Sequence, residues 1–303
     1  MIRFSVVLFT LMMLFSCKNE NTSTTPNNPI SKEKEIVEDI STNQEKLTPT
    51  KELAILGEYS KPLANKLNSD FVLSDLGGDK LYIYKDGADT PPKLITETKN
   101  IGNDFAWSKD GNSILFKERT KDYRTQIVSF NTKTLEREII PDLPRLVSIK
   151  AMAITDTIYY LDNKTLAVKA KYDNKVWDIS KEPGNYYNIE VAPNNQYLIA
   201  HKGPSIYLFT TEGKFLRKLG EGIATGWHPN SQYIIGFKDS SVDGHSITGS
   251  ELYLFHLEKE TVQITDTPDQ IETWPSFEGT KKVVFRDEER NGIFSKNIEA
   301  FIK

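Results

Sequence analysis

The chain carries four histidines, His201, His228, His245 and His256, and a single cysteine, Cys17. Histidine titrates near neutral pH and is the commonest metal ligand. Here the four are scattered singly, with no HExxH, CxxC, GxSxG or glycine-rich phosphate loop beside them. One segment does gather ligand-type atoms: FKDSSVDGHSITGSELYLF, Phe237 to Phe255. It sets Asp239, Asp243 and His245 among Ser and Gly. An oxygen-rich loop of this kind could hold a hard cation such as calcium. The spacing lacks the terminal Glu of an EF-hand, so the three residues form a candidate binding loop rather than a metal site. No catalytic residue, metal or cofactor is assigned. His228 falls in a turn and His256 in an alternating strand, where packing accounts for both. The charged hairpin Lys117 to Arg124 and the run Asp287-Glu288-Glu289 read as solvated connections.

Such residues need elements to hold them, and the chain is built in three parts. At the start, Arg3 precedes an apolar run from Phe4 to Phe15, the length of a signal-peptide core and too short to span a bilayer. The run ends Leu14-Phe15-Ser16-Cys17, which resembles the bacterial lipoprotein signal. That resemblance implies cleavage before Cys17 and acylation of its thiol and new amino group. Two or more acyl chains give stable anchoring, at about 0.8 kcal/mol per buried methylene. With Cys17 alone, no internal disulfide can form. Lys18-Asn19-Glu20 resembles the acidic export signals of Bacteroidota lipoproteins. The following stretch to Lys51 is rich in Asn, Thr, Ser, Lys and Glu and lacks aromatic residues. It cannot bury enough apolar surface to order itself, and is expected to be a tether reaching roughly 30 Å. The expected division is signal peptide 1–16, lipidated Cys17 and tether 17–50, and a folded body 51–303.

The body repeats. Phe105-Ala106-Trp107, a polar knot Ser-Lys-Asp-Gly-Asn, then Ser113 to Glu118 has relatives at Glu190 to His201, Thr225 to Phe237 and Thr273 to Phe285. Weaker copies lie at Lys66 to Ser74 and Met152 to Leu161. Each joins two apolar strands through residues that favour turns, and each is followed by a second strand pair. The turn landmarks Asp70, Asp110, Asp156, Asn194, Asn230 and Gly279 recur about every 42 residues, the period of a four-stranded propeller blade. The expected fold is all-β, a six-bladed propeller of four-stranded antiparallel blades. Trp107, Val191, Trp227 and Phe277 fall at equivalent places and are expected to pack blade on blade. A ring of sheets must close its last edge. The strand-like segment Glu52 to Gly57 is expected to do so as the outer strand of blade six.

Trp-Ser-Lys-Asp-Gly followed by Ile-Leu-Phe, and Trp-His-Pro-Asn-Ser followed by Ile-Ile-Gly-Phe, resemble the W-S-P-D-G-x-x-I-A-F motif of TolB-like propellers, the PD40 or WD40-like repeats. The resemblance implies a six-bladed propeller of the bacterial envelope, one that works by protein contact in the Tol–Pal case.

A net charge of −4 with both signs dispersed leaves no basic face, so no nucleic-acid partner is expected. The expected partners are a membrane, through the N-terminal lipid, and an envelope protein. The expected place is the outer membrane, on its periplasmic or surface side. Two functions remain open. One is a non-enzymatic scaffold exposing a broad apolar face. The other is a ligand-binding or polysaccharide-degrading propeller, with ionisable groups converging at one mouth of the central channel. The inner stretches FAW, IEV, TGW and TWPSF carry few ionisable residues, which favours the scaffold.

Overall fold

A computed structural model describes residues 53–302 apart from 86, 88–89, 182–183 and 242–245. Cys17 and the whole of 1–52 lie outside the described residues. Six antiparallel sheets follow one another along the chain. Blade one is β2 (Tyr59–Ala64), β3 (Asp70–Asp75), β4 (Lys80–Lys85) and β5 (Lys93–Glu97), after the short β1 (Ala54–Leu56). Blade two is β6 (Phe105–Trp107), β7 (Ser113–Arg119), β8 (Thr125–Asn131) and β9 (Arg137–Ile140). Blade three opens with helix α1 (Ile149–Met152) and continues with β10 (Ile158–Leu161), β11 (Val168–Tyr172) and β12 (Lys175–Asp178). Blade four is β13 (Tyr186–Val191), β14 (Tyr197–Lys202), β15 (Ser205–Thr210) and β16 (Phe215–Glu221). Blade five is β17 (Ile223–Trp227), β18 (Tyr233–Ser241), β19 (Ile247–His256) and β20 (Val262–Gln263). Blade six is β21 (Glu272–Glu278), β22 (Lys282–Asp287) and β23 (Gly292–Asn297), with β1 paired outside β23.

The repeat has a backbone cause. Four residues after the inner-strand landmark, Gly111, Asn195 and Ser231 all adopt left-handed φ, at 64°, 54° and 61°. In each, the amide of that residue bonds three residues back, to Ser108, Ala192 and His228, at 2.9 Å. Gly and Asn enter this region cheaply, which is why the knot is written in those letters.

The blades bury their faces in six clusters, one for each junction. Val72 and Leu81 of blade one meet Phe105 and Ile114 of blade two. Further round, Leu115 meets Ile149, Val168 meets Leu198, Ile199 meets Ile234, and Leu254 meets Val283. Phe71 and Leu73 pack with Ile55, Val284 and Ile293, so blade six touches blade one and the ring is closed. Trp107 and Trp227 do the same work in two of these junctions. The indole Nε1 of Trp107 donates to Leu63 O of the preceding blade at 3.0 Å, and that of Trp227 to Glu190 O at 3.2 Å. Replacing Trp227 by Phe keeps most of the packing and removes that bond. A loss of about 1–2 kcal/mol is expected, measured by urea denaturation. Unchanged stability would contradict the role given to the indole.

Blade three departs from the expected pattern. Its inner position holds α1, not a strand, and its sheet has three strands. Ser148 explains the switch. Its Oγ accepts from Ala151 N at 3.2 Å as an N-cap and donates to Ile189 O of blade four at 2.6 Å. Ile149 then leads into Lys150-Ala151-Met152, a run of good helix formers. A single bridge, Val147 to Tyr160, remains where an inner strand would pair.

Candidate ligand site at the channel mouth

Inner segments of all six blades converge on a cavity of about 380 Å³, at the end of the ring where β6, β13 and β17 begin. This is the size of small-molecule sites, which are largely apolar with a few placed polar groups. Leu63, Phe105, Ile189, Ile223 and Pro275 supply apolar wall. Lys61, Lys117 and Lys150 supply charge, from blades one, two and three, with Asp104 as the carboxylate in the lining.

The inner strands are bent where they reach this cavity. Ladder register slips between Ser60 and Leu63, between Tyr187 and Glu190, and between Thr273 and Ser276. Inside these three bulges sit Lys61, Asn188 and Trp274, with φ of 47°, 48° and 51°. All three line the cavity. A bulge inserts an extra residue and re-aims a side chain, and such strain gathers at functional sites. The Lys61 ammonium lies 4.4 Å from the centroid of the Trp274 ring, blade one against blade six.

The other two lysines are fixed by carboxylates and carbonyls. Lys117 ion-pairs with Asp104 and also donates to Val147 O. Lys150, from α1, pairs with the buried Glu190 at 2.5 Å and donates to Thr225 O at 2.8 Å. An ammonium has three donors, so among the described residues each of these two keeps one beyond those bonds. Burial first, and then the charge of Lys150, bring the Lys61 amine down from 10.5 to about 8, with Asp104 pulling the other way.

His201 stands behind the wall. It is fully buried on β14 and its Nε2 accepts from Ala224 N at 3.0 Å. Asn188 Nδ2 donates to Ala224 O, also at 3.0 Å. Blade four thus takes both backbone groups of Ala224 and fixes how β17 enters the cavity. The other described histidines serve turns. His228 Nδ1 accepts from Asn230 N and its Nε2 donates to Thr280 O, while His256 Nδ1 accepts from Glu258 N and Lys259 N.

The structure treats the sequence candidates unevenly. Asp239 is exposed on β18, opposite Ser250 in a ladder that runs on to Ser241 and Ile247. Asp243 and His245 lie outside the described residues. Among the described residues no group of His, Cys, Asp and Glu is placed to hold a metal. The Lys117–Arg124 reading needs correction. Lys117 and Glu118 belong to β7, and Glu118 is buried against Arg137 and Gln126. The acidic run needs correction too. Asp287 is fully buried, accepts from Arg290 N and Nε, and sits across the ladder from the buried Glu272. Burial raises the Glu272 carboxyl. The expectation of a channel poor in ionisable groups also fails. FAW, IEV, TGW and TWPSF carry only Glu190, but the inner positions of blades one and three bring Lys61 on β2 and Lys150 on α1, and Lys117 reaches in from the second strand of blade two.

No family model matches the chain, and no curated protein does. Among solved structures it is similar to TolB from Acinetobacter baumannii, at 14% identity and TM-score 0.49 over 80% of this chain. It spans 64% of the length of that TolB. A putative TolB from Agrobacterium tumefaciens matches at 10% identity and TM-score 0.52, over 82% of this chain and 91% of its own. A gluconolactonase from Xanthomonas campestris matches at 11% identity and TM-score 0.54, over 80% and 87%. At such identities the likeness is one of fold: the chain is a six-bladed β-propeller, distantly similar in structure to TolB propeller domains.

Proposed function

We infer that the protein is a ligand-binding propeller whose channel mouth takes a small anion with an apolar or aromatic body. The observation that carries this is the convergence of Lys61, Lys117 and Lys150 with Trp274 and Phe105 in one cavity. Three lysines against Asp104 and the Glu190 behind it leave the mouth cationic, in a chain whose net charge is −4. The charge of Lys150 bears on Lys61, and a bound carboxylate would offset it. The N-terminal sequence supports the further proposal that a lipid on Cys17 tethers this propeller to a membrane of the cell envelope.

Calorimetric titration with phenyllactate tests the site. Lys61→Ala and Lys150→Ala are each expected to weaken binding at least tenfold. Affinity should also fall as pH rises through about 8, because an anion favours the protonated Lys61. Equal affinities in the wild type and both variants would reject the site.

A second reading, protein contact, is favoured by one observation. The β7–β8 and β18–β19 hairpins extend past the inner strands at the same end of the ring, on blades three places apart, and carry the exposed Tyr123 and Ile247. Crosslinking in native membranes tests it. Recovery of lipid with no protein would count against an envelope partner.

A further inference from the structure

We propose that the channel mouth takes the C-terminal end of a partner protein, a chain whose last residue is apolar or aromatic, and not a free small acid. This rests on the anion-binding reading above and names the molecule that carries the carboxylate.

The cavity suits the end group. Lys117 and Lys150 are each held by a carboxylate and a carbonyl, and among the described residues each keeps one donor. Both are anchored around α1: the first bonds Val147 O just before it, and the second stands on it. Phe105, Ile189, Trp274 and Pro275 line the same space. Cations and apolar wall therefore meet within about 380 Å³, near the lower end of small-molecule sites, roughly 300–1,000 Å³. A terminal apolar residue carries its carboxylate and its side chain on one carbon, which is the pairing this cavity offers. An acidic side chain within a protein brings a carboxylate with no apolar body. An N-terminal amine would meet three lysines.

The rim holds what a free acid would leave unused. In blades one, four and six the second and third strands are six residues each. In blade two they are seven each, and in blade five nine and ten. The extra length lies at the mouth, on blades that face one another across the ring. β7 runs past Phe116, the partner of Phe105, to Arg119, and β18 runs past Phe237, the partner of Ile223, to Ser241. The first hairpin is ordered so as to present an aromatic ring. Tyr123 has φ of 62°, and its amide bonds Thr120 O at 2.9 Å. It is 76% exposed, with the Arg119 guanidinium 4.9 Å from its ring centroid. Tyr and Arg are the types that anchor protein interfaces. On the opposite wall Ile247 is exposed and pairs with Ser241. A chain leaving the cavity along the ring axis passes between these walls, which touch the residues before its last. Charge at the end and apolar contact along the chain together select a terminus.

The test is calorimetric titration of the full chain in detergent with three probes. They are phenyllactate, an acetylated tetrapeptide ending in phenylalanine with a free carboxylate, and the same peptide as its C-terminal amide. The free-acid peptide is expected to bind at least tenfold more tightly than phenyllactate, and at least tenfold more tightly than the amide. Tyr123→Ser and Ile247→Ser together are expected to remove the peptide's advantage over phenyllactate. The acid-to-amide ratio is read in the wild type, so the test does not depend on the double variant. With phenyllactate bound, three results would overturn the proposal and leave the anion site standing: a free-acid peptide no tighter than phenyllactate, an amide that binds as well as the acid, or an advantage that survives the double variant. Failure of all three probes to bind would remove the two readings together.

Discussion

Removal of residues 53–56 is expected to lower the thermal midpoint by about 8–16 °C, while removal of residues 18–45 leaves it within about 2 °C. The first deletion takes away β1, which pairs Ala54, Ile55 and Leu56 with Phe294, Ile293 and Gly292. Ile55 is buried among Phe71, Leu73, Val284 and Ile293, at the junction that closes the ring. Leu53 N donates to Ser295 Oγ, and Gly57 O accepts from Arg286, so the segment is bonded at both ends as well. Loss of a buried Ile alone costs about 2–5 kcal/mol. Taking about 4 kcal/mol, and about 2–4 °C per kcal/mol for a domain of this size, gives the stated shift. The bare β23 edge would also be free to pair with another molecule. Differential scanning calorimetry of the two truncations decides the matter, and equal midpoints would mean that β1 is not the clasp.

The blade count was legible because the inner hairpins of blades two, four, five and six turn through a left-handed residue, Gly111, Asn195, Ser231 and Gly279, and only a few residue types sit there cheaply. The same physics made β1 legible: a ring needs a last strand, and one strand-like segment stood in front. The site was less so. A period-2 pattern describes a regular ladder, and Lys61, Asn188 and Trp274 are where the ladder breaks. A signal was present in two of the three, since Lys61-Pro62 and Trp274-Pro275 place a proline within a strand, which sheets accept at edges or bulges. In the third, Asn188 is a type that tolerates left-handed φ. Lys117 looked like hairpin charge because no sequence pattern places it opposite Asp104; that follows from Phe105 pairing with Phe116. The helix in blade three was hidden because Ser148 to Ala151 precede the Met152–Leu161 copy, and only Met152 of the helix falls within the repeat.

Acidification should destabilise the ring through one buried histidine. The Nε2 of His201 accepts the Ala224 amide, so the proton of the neutral ring sits on Nδ1, 3.3 Å from Asn188 O. A second proton would have to point at an amide hydrogen. Burial first, and then the Lys150 charge, hold the folded pKa at about 4, against an ordinary 6.5. Between those values the unfolded chain binds the proton and the folded one does not. Stability therefore falls as pH drops from about 6.5 towards 4, and this group contributes about 3 kcal/mol of that fall. His201→Gln keeps an acceptor for Ala224 and cannot titrate. Urea denaturation at pH 7.5 and pH 4.5 is expected to show the wild type losing about 3 kcal/mol more than the variant. Because Ala224 and Asn188 line the cavity, anion affinity in the wild type should fall over the same range while that of the variant holds. Parallel losses of stability in the two proteins would mean that His201 is no more than packing.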